Sequence, residues 1–169
     1  TVCLQNQIGP ADCAALSNAY DFAKEENISK IIEIDHILFS MKLIKEIREA
    51  STRSGRQLLN CLLSFVPDNT LISLYYNSIK NKAANGIYPV ALALASNSLN
   101  IKKERACLIL LYGFTVSITG AALRLGMIQH FEGQQVIHEL KPILTTVINN
   151  NIKRHFSQLW QFCPSVDLV

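Results

Sequence analysis

The sequence predicts an all-α fold: one bundle-like domain over residues 1–169, with about seven helices around an apolar central one. Three observations lead there. Apolar residues recur three or four apart along most of the chain, never in the strict alternation of a half-buried strand. Gly, Pro and Asn punctuate that pattern at spacings suited to helices of ordinary length. Hydrophobic residues make up 49% of the chain and charged ones 17%, enough to bury a core and too apolar for disorder.

In chain order, Pro10 suits a first helical position, and Ala14, Leu16, Ala19, Phe22 and Ala23 form a short apolar stripe behind it. The next stripe is Ile31, Ile34, Leu38, Met41, Ile44 and Ile47. It is opposed by Lys30, Glu33, Lys42, Lys45, Glu46 and Glu49, an amphipathic helix that Asn27 or Ser29 can cap. After Ser54-Gly55, residues 57–63 are helical again and stop before Pro67. Asp68 opens a helix with Leu71, Leu74, Tyr75 and Ile79 on its apolar side. No alternation flanks Asn85-Gly86, so it reads as a helix stop, with Pro89 beginning the next helix. Residues 102–125 form the central helix. Its Gly113, Ser117, Gly120 and Ala121 share one side, small enough for a second backbone to approach, and are expected to pack inside the protomer. Residues 132–160 are helical and interrupted near Pro142.

A net charge of +3 without a Lys/Arg stripe gives no nucleic-acid footprint. The five cysteines, Cys3, Cys13, Cys61, Cys107 and Cys163, lack metal-ribbon spacing. Cys61 and Cys107 lie in apolar runs and read as small buried hydrophobes, reduced as in the cytoplasm. Residues 106–123 carry no charge and reach the length of a membrane span. Tyr112, Thr115, Ser117 and Thr119, and a second apolar segment at 89–99, favour a core helix instead.

The search for chemistry is short. Phosphate-cradling glycine loops and the hydrolase elbow are absent. His130 and His138 lie about two helical turns apart and cannot share an ion without a bend; His36 and His155 are isolated, and Glu33, Asp35 and His36 splay around a helix. No metal site and no catalytic site emerge. Arg48, Arg53 and Arg56 are interleaved with Glu46 and Glu49, either as a salt-bridged face with a Glu49–Arg53 pair or as a docking surface. Arg124 is a further docking candidate. Two rival readings stay open: a helical enzyme using residues such as Glu33, His36 and Tyr88, and a small membrane protein built around 106–123.

Several segments, taken in order, resemble the urease accessory protein UreF family. They are Glu46-Ile47-Arg48-Glu49-Ala50 through Gly55-Arg56-Gln57-Leu58-Leu59, then Tyr88-Pro89-Val90 before an apolar helix. Tyr112-Gly113-Phe114 leads on to Gly120 and Ala121-Ala122-Leu123-Arg124-Leu125, and Gly133-Gln134-Gln135 to Leu140-Lys141-Pro142-Ile143. Pro164 and Asp167 complete the set. Gln129-His130 stands where the family commonly has Gly-Gln, and the family's opening motif and polar tail are not seen; Thr1 reads as an internal start. The resemblance implies an all-helical, homodimeric, non-catalytic maturation factor of the cytoplasm. In it UreF binds UreD (UreH in some organisms), recruits the GTPase UreG and sits on apo-urease during nickel delivery. No cofactor of its own is implied: nickel passes through the assembled complex and GTP belongs to UreG. Whether His130 or Cys163 touches metal in passing is left open by the residues.

Overall fold

The helices expected from periodicity are present, and their packing follows from how much of each circumference is apolar. In the computed structural model, which describes residues 1–162, the chain opens with a wide π-helical segment, Leu4–Cys13, that runs on into α1, Ala14–Lys24. Then follow α2 (Ile28–Met41), α3 (Lys45–Phe65), α4 (Thr70–Lys80), α5 (Tyr88–Ser98), α6 (Lys103–Arg124) and α7 (His130–Asn151). A short 3-10 turn, Phe156–Gln158, comes last among the described residues. Among the described residues there is no strand.

The centre of the fold is α5, not the helix expected there. Every residue of α5 from Pro89 to Ser96 is buried, as an all-round apolar helix requires. It packs chiefly against α1 and α3, and its alanines (Ala91, Ala93, Ala95) let those neighbours come close. Val90, Leu92 and Leu94 each contribute roughly 1.5–3 kcal/mol by leaving water. The longer apolar helix α6 lies at the periphery, with 33% of its most apolar stretch buried. It contacts α7, α5 and the π-helical segment. Composition alone could not rank the two helices, because both are apolar around their full circumference.

Four other boundaries moved. The stripe from Ile31 to Ile47 is divided at residues 42–44, whereas Ser54-Gly55 lies inside the unbroken α3. Lys42, expected on the polar face, is buried against Asp12 with Nζ–Oδ1 at 2.8 Å. Pro10 sits within the opening helical run instead of starting one, and Pro142 within α7. A helical proline forfeits one backbone hydrogen bond. The carbonyl deprived at Pro142 belongs to the exposed His138, where water can satisfy it. Other signals behaved as expected. Asn27 Oδ1 accepts from Lys30 N at 3.2 Å to cap α2, and Pro89 stands in the first turn of α5. The cap of α4 is Asn69, one residue beyond Asp68, accepting from Ile72 N at 3.0 Å.

Candidate partner-docking surfaces

A single buried carboxylate organises the best-defined surface. Asp35, on α2 and fully buried, accepts hydrogen bonds from the Tyr75 hydroxyl (2.8 Å) and from the backbone N–H groups of Asn85 (2.5 Å), Gly86 (3.0 Å) and Ile87 (2.9 Å). The Asn85 side chain donates to it as well, at 2.9 Å. Burial first, then the adjoining carboxylate, push the Tyr75 phenol well above its ordinary pKa, so it remains a donor. His36 adds ring-nitrogen contacts to the Ala83 carbonyl and the Asn85 amide, both at 3.1 Å.

Tied in this way, the 83–87 loop lies directly on α3. A Cβ at Gly55 would collide with the Gly86 carbonyl oxygen, which is why a glycine stands in mid-helix there. Gly86 itself has φ +79°, a conformation side chains disfavour, and a Cβ on it would come within 3.0 Å of Arg56 Cγ. Arg56 is therefore laid across Gly86, with Nε donating to the Asn85 carbonyl at 3.0 Å. Beside it, Arg53, Gln57, Asn60, Tyr76, Thr52 and Glu49 line a shallow recess of about 460 Å³ between α3 and α4.

The other arginines differ in availability. Arg48 donates to the Lys42 carbonyl at 3.2 Å and stacks 5.1 Å over Phe39, so much of it is committed within the protomer. The expected Glu49–Arg53 pair does not form: Glu49 turns to Lys45 at 3.8 Å, and Arg53 has no ion pair among the described residues. Arg124 is exposed at the end of α6, with its guanidinium lying over Gly120.

A second surface is apolar. On α6 and its continuation into α7, Leu108, Ile109, Tyr112, Val116, Ile118, Leu125, Met127 and Phe131 are exposed. The small-residue stripe lies on this open side. A Cβ at Gly113 would meet nothing within 4 Å, and one at Gly120 only Arg124, so the expectation that the stripe packs inside the protomer is overturned. The physical reason is that α6 turns a different edge inward: Ala106, Cys107, Leu110, Leu111, Thr115 and Thr119. Gly133 is buried where α7 crosses α6, 3.1 Å from Thr119 Cγ2 if it bore a Cβ. Gln134 is exposed beside Phe131 and Tyr112.

Between these surfaces runs a groove of about 490 Å³, bordered by Ala50, Ser54, half-buried Tyr88, Pro89, Gly113 and Phe114, with the Asp12–Lys42 pair at its base. Burial raises the Tyr88 phenol's pKa, and its backbone N–H donates to Ser51 Oγ at 3.3 Å. Cys61 is exposed, contrary to its apolar sequence neighbours, because its side chain falls on the outer face of α3; Cys13 and Cys107 are buried. Among the described residues no three His, Cys, Asp or Glu side chains converge as metal ligands. Cys163, Pro164 and Asp167 lie outside the described residues.

A sequence model of the UreF family matches residues 1–141, beginning well before the motifs that carry the resemblance. The chain belongs to the UreF family. It is 28% identical over 168 residues to the urease accessory protein UreF of Trichodesmium erythraeum (strain IMS101), covering 99% of this chain and 72% of that protein. It is 23% identical over 141 residues to the UreF of Actinobacillus pleuropneumoniae serotype 5b (strain L20), covering 83% and 62% respectively. With urease accessory protein UreF 1 of Brucella melitensis biotype 1 the identity is 28% over 169 residues, covering 100% of this chain and 70% of the relative. The chain thus spans roughly two thirds of the length of these UreF proteins, from 62% to 72%. Membership of the family carries a urease accessory role.

The tertiary structure adds what the motifs omitted. Asp35 and the Asp12–Lys42 pair hold the elements on which the UreF motif residues stand, yet neither belongs to a recognisable motif. A carboxylate on an otherwise apolar helix face is the only local hint of the first: Asp35 lies between Ile34 and Leu38 on the buried edge of α2. Gly9 is a third such residue. A Cβ there would stand 2.6 Å from Val147 Cγ1, so this glycine lets α7 close on the amino-terminal segment.

Proposed function

We propose that this UreF-family chain is a non-catalytic scaffold, a chaperone of metallocentre assembly in the cytoplasm. With UreD (UreH in some organisms) and the GTPase UreG it assembles on apo-urease for nickel insertion. Nickel is the cargo of the complex and GTP is UreG's; the chain holds no cofactor of its own. The single observation that carries this reading is the family match across most of the chain. Its surface supports it: a scaffold works by presenting faces, and Leu108, Ile109, Tyr112 and Phe131 stand exposed beside one another on α6 and α7.

The decisive experiment compares urease activity and urease-bound nickel in cells carrying the urease subunits with UreD and UreG, with and without this protein at its natural length. Both quantities are expected to depend on it. Equal activation without it would reopen the helical-enzyme reading.

The same reading makes the protein a homodimer. Leu108, Ile109, Tyr112, Val116 and Phe131, exposed on α6 and α7, supply apolar side chains of the kind that a standard interface of roughly 800 Å² per partner buries at its centre. The open Gly113–Ser117 edge lets a second α6 approach closely. Light scattering at micromolar concentration is expected to give twice the chain mass, and Val116→Glu to give the monomer. A monomeric wild type counts against the dimer; a dimeric variant moves the interface off this face.

A further inference from the structure

We infer that the recess between α3 and α4 is a carboxylate-binding site that receives an acidic side chain from a polypeptide partner. The inference deepens the scaffold reading and rests on it only in taking the partner to be a protein.

The first argument is an inventory of hydrogen-bonding capacity. Arg53 brings an entire guanidinium that makes no hydrogen bond or ion pair among the described residues. Arg56 uses Nε on the Asn85 carbonyl, which leaves its two terminal nitrogens unengaged. Asn60 accepts from the Tyr76 hydroxyl through Oδ1 at 3.3 Å, so its amide N–H₂ remains to donate. Lys80 adds positive charge nearby, 4.6 Å from the centre of the Tyr76 ring. Against these donors stands Glu49, whose carboxylate already faces Lys45. A donor-rich, positively charged recess fits a ligand that only accepts hydrogen bonds and carries negative charge.

The second argument is that Arg56 is held in position before any partner arrives. Its stem lies on Gly86 and its Nε on the loop that Asp35 ties down through three backbone N–H groups. Exposed arginines ordinarily lose side-chain entropy on forming an ion pair, which is why surface pairs contribute little. Here most of that loss has been incurred in folding, so pairing at Arg56 starts from an ordered fork.

The lining also separates a carboxylate from a phosphate. Phosphate sites draw on backbone N–H groups at helix N-termini or in glycine-rich turns. The residues of this recess lie well inside α3 and α4, where backbone N–H groups are taken up by the helices, so only side chains are available. Arg53 and Arg56 stand one helical turn apart in this lining, and the planar guanidinium fork is suited to bind a singly charged planar carboxylate through two parallel hydrogen bonds.

The test uses the full chain and two fluorescein-labelled peptides of equal length, one with alternating Glu and Gly and one with Gln replacing Glu. Fluorescence anisotropy is expected to show binding of the Glu peptide at least tenfold tighter than the Gln peptide. Arg53→Glu is expected to weaken Glu-peptide binding at least tenfold with an unchanged circular dichroism spectrum. Arg56→Lys, which keeps the charge and loses the fork, is expected to fall between. Lys153→Glu makes the same charge change on a remote exposed lysine and is expected to leave binding within twofold. Equal binding of both peptides, an unaffected Arg53→Glu, or an equal loss in Lys153→Glu each overturns the proposal. So does inorganic phosphate displacing the Glu peptide more effectively than acetate at equal ionic strength. Urease activation assayed on the same variants separates the two readings: lost peptide binding with intact activation sinks this site alone, and intact peptide binding in a protein irrelevant to activation sinks the scaffold reading alone.

Discussion

Asp35→Ala is expected to destabilise the protein by about 3–5 kcal/mol, the range for breaking a buried charged network by removing one partner. The carboxylate collects five hydrogen bonds in a fully buried setting, three of them from consecutive backbone N–H groups of Asn85, Gly86 and Ile87. Alanine leaves those donors and the Tyr75 hydroxyl without an acceptor, each stranded group costing about 1–3 kcal/mol if it stays dry. The total falls below their sum because the loop can lift toward water. Lifting has its own consequence, since Arg56 rests on that loop through the Asn85 carbonyl. Asp35→Asn keeps one acceptor oxygen and is expected to cost about half as much. Urea denaturation checks both, and a loss below about 1 kcal/mol for the alanine variant would show that the loop does not depend on Asp35.

Lys42→Met follows, with an expected loss of about 3–5 kcal/mol. Lys42 and Asp12 are 6% exposed each and 2.8 Å apart, and Asp12 Oδ2 has no hydrogen-bond partner among the described residues. Removing the ammonium therefore strands a carboxylate that is already under-satisfied. The double variant Asp12→Leu/Lys42→Met is expected to recover most of the loss, because replacing a whole buried pair with apolar groups is often neutral or better. A double-mutant cycle by urea denaturation measures the coupling. Additive losses, with no recovery, would mean that the two side chains act separately. The pair also joins the opening helical segment to the α2–α3 junction, so the coupling measures what this one contact adds to that attachment.

These two clusters explain where reading the chain succeeded and where it could not. Helix α2 was legible because its cap, its stripe and its polar face are all encoded within one segment: Asn27 caps it, and Ile31, Ile34 and Leu38 are buried. The start of α5 was legible for the same reason, from Gly86 and Pro89. Local patterns misplaced the break between α2 and α3. Gly55 resembles a helix stop, but its lack of a side chain answers to the Gly86 backbone, about 30 residues further on, and the helix continues through it. Lys42 resembles a surface lysine, but Asp12 draws it inside.

The docking candidates divide along the same line. Arg48, Arg53 and Arg56 are alike in sequence, one or two turns apart on one helix. Arg48 is engaged with Lys42 and Phe39, Arg56 is fixed on the 83–87 loop, and Arg53 is left open to a partner. The sequence by itself determined the all-α class, most of the helices, and enough ordered motifs to reach the UreF family. Only the tertiary structure decided that α5 is the centre and α6 the outer face, and which arginine is available. Periodicity records how apolar each side of a helix is, a property of neighbours in sequence. Which apolar side finds a partner within the chain depends on elements far apart in sequence, and here the small side chains of α5 admitted α1 and α3 while the exposed face of α6 was left uncovered.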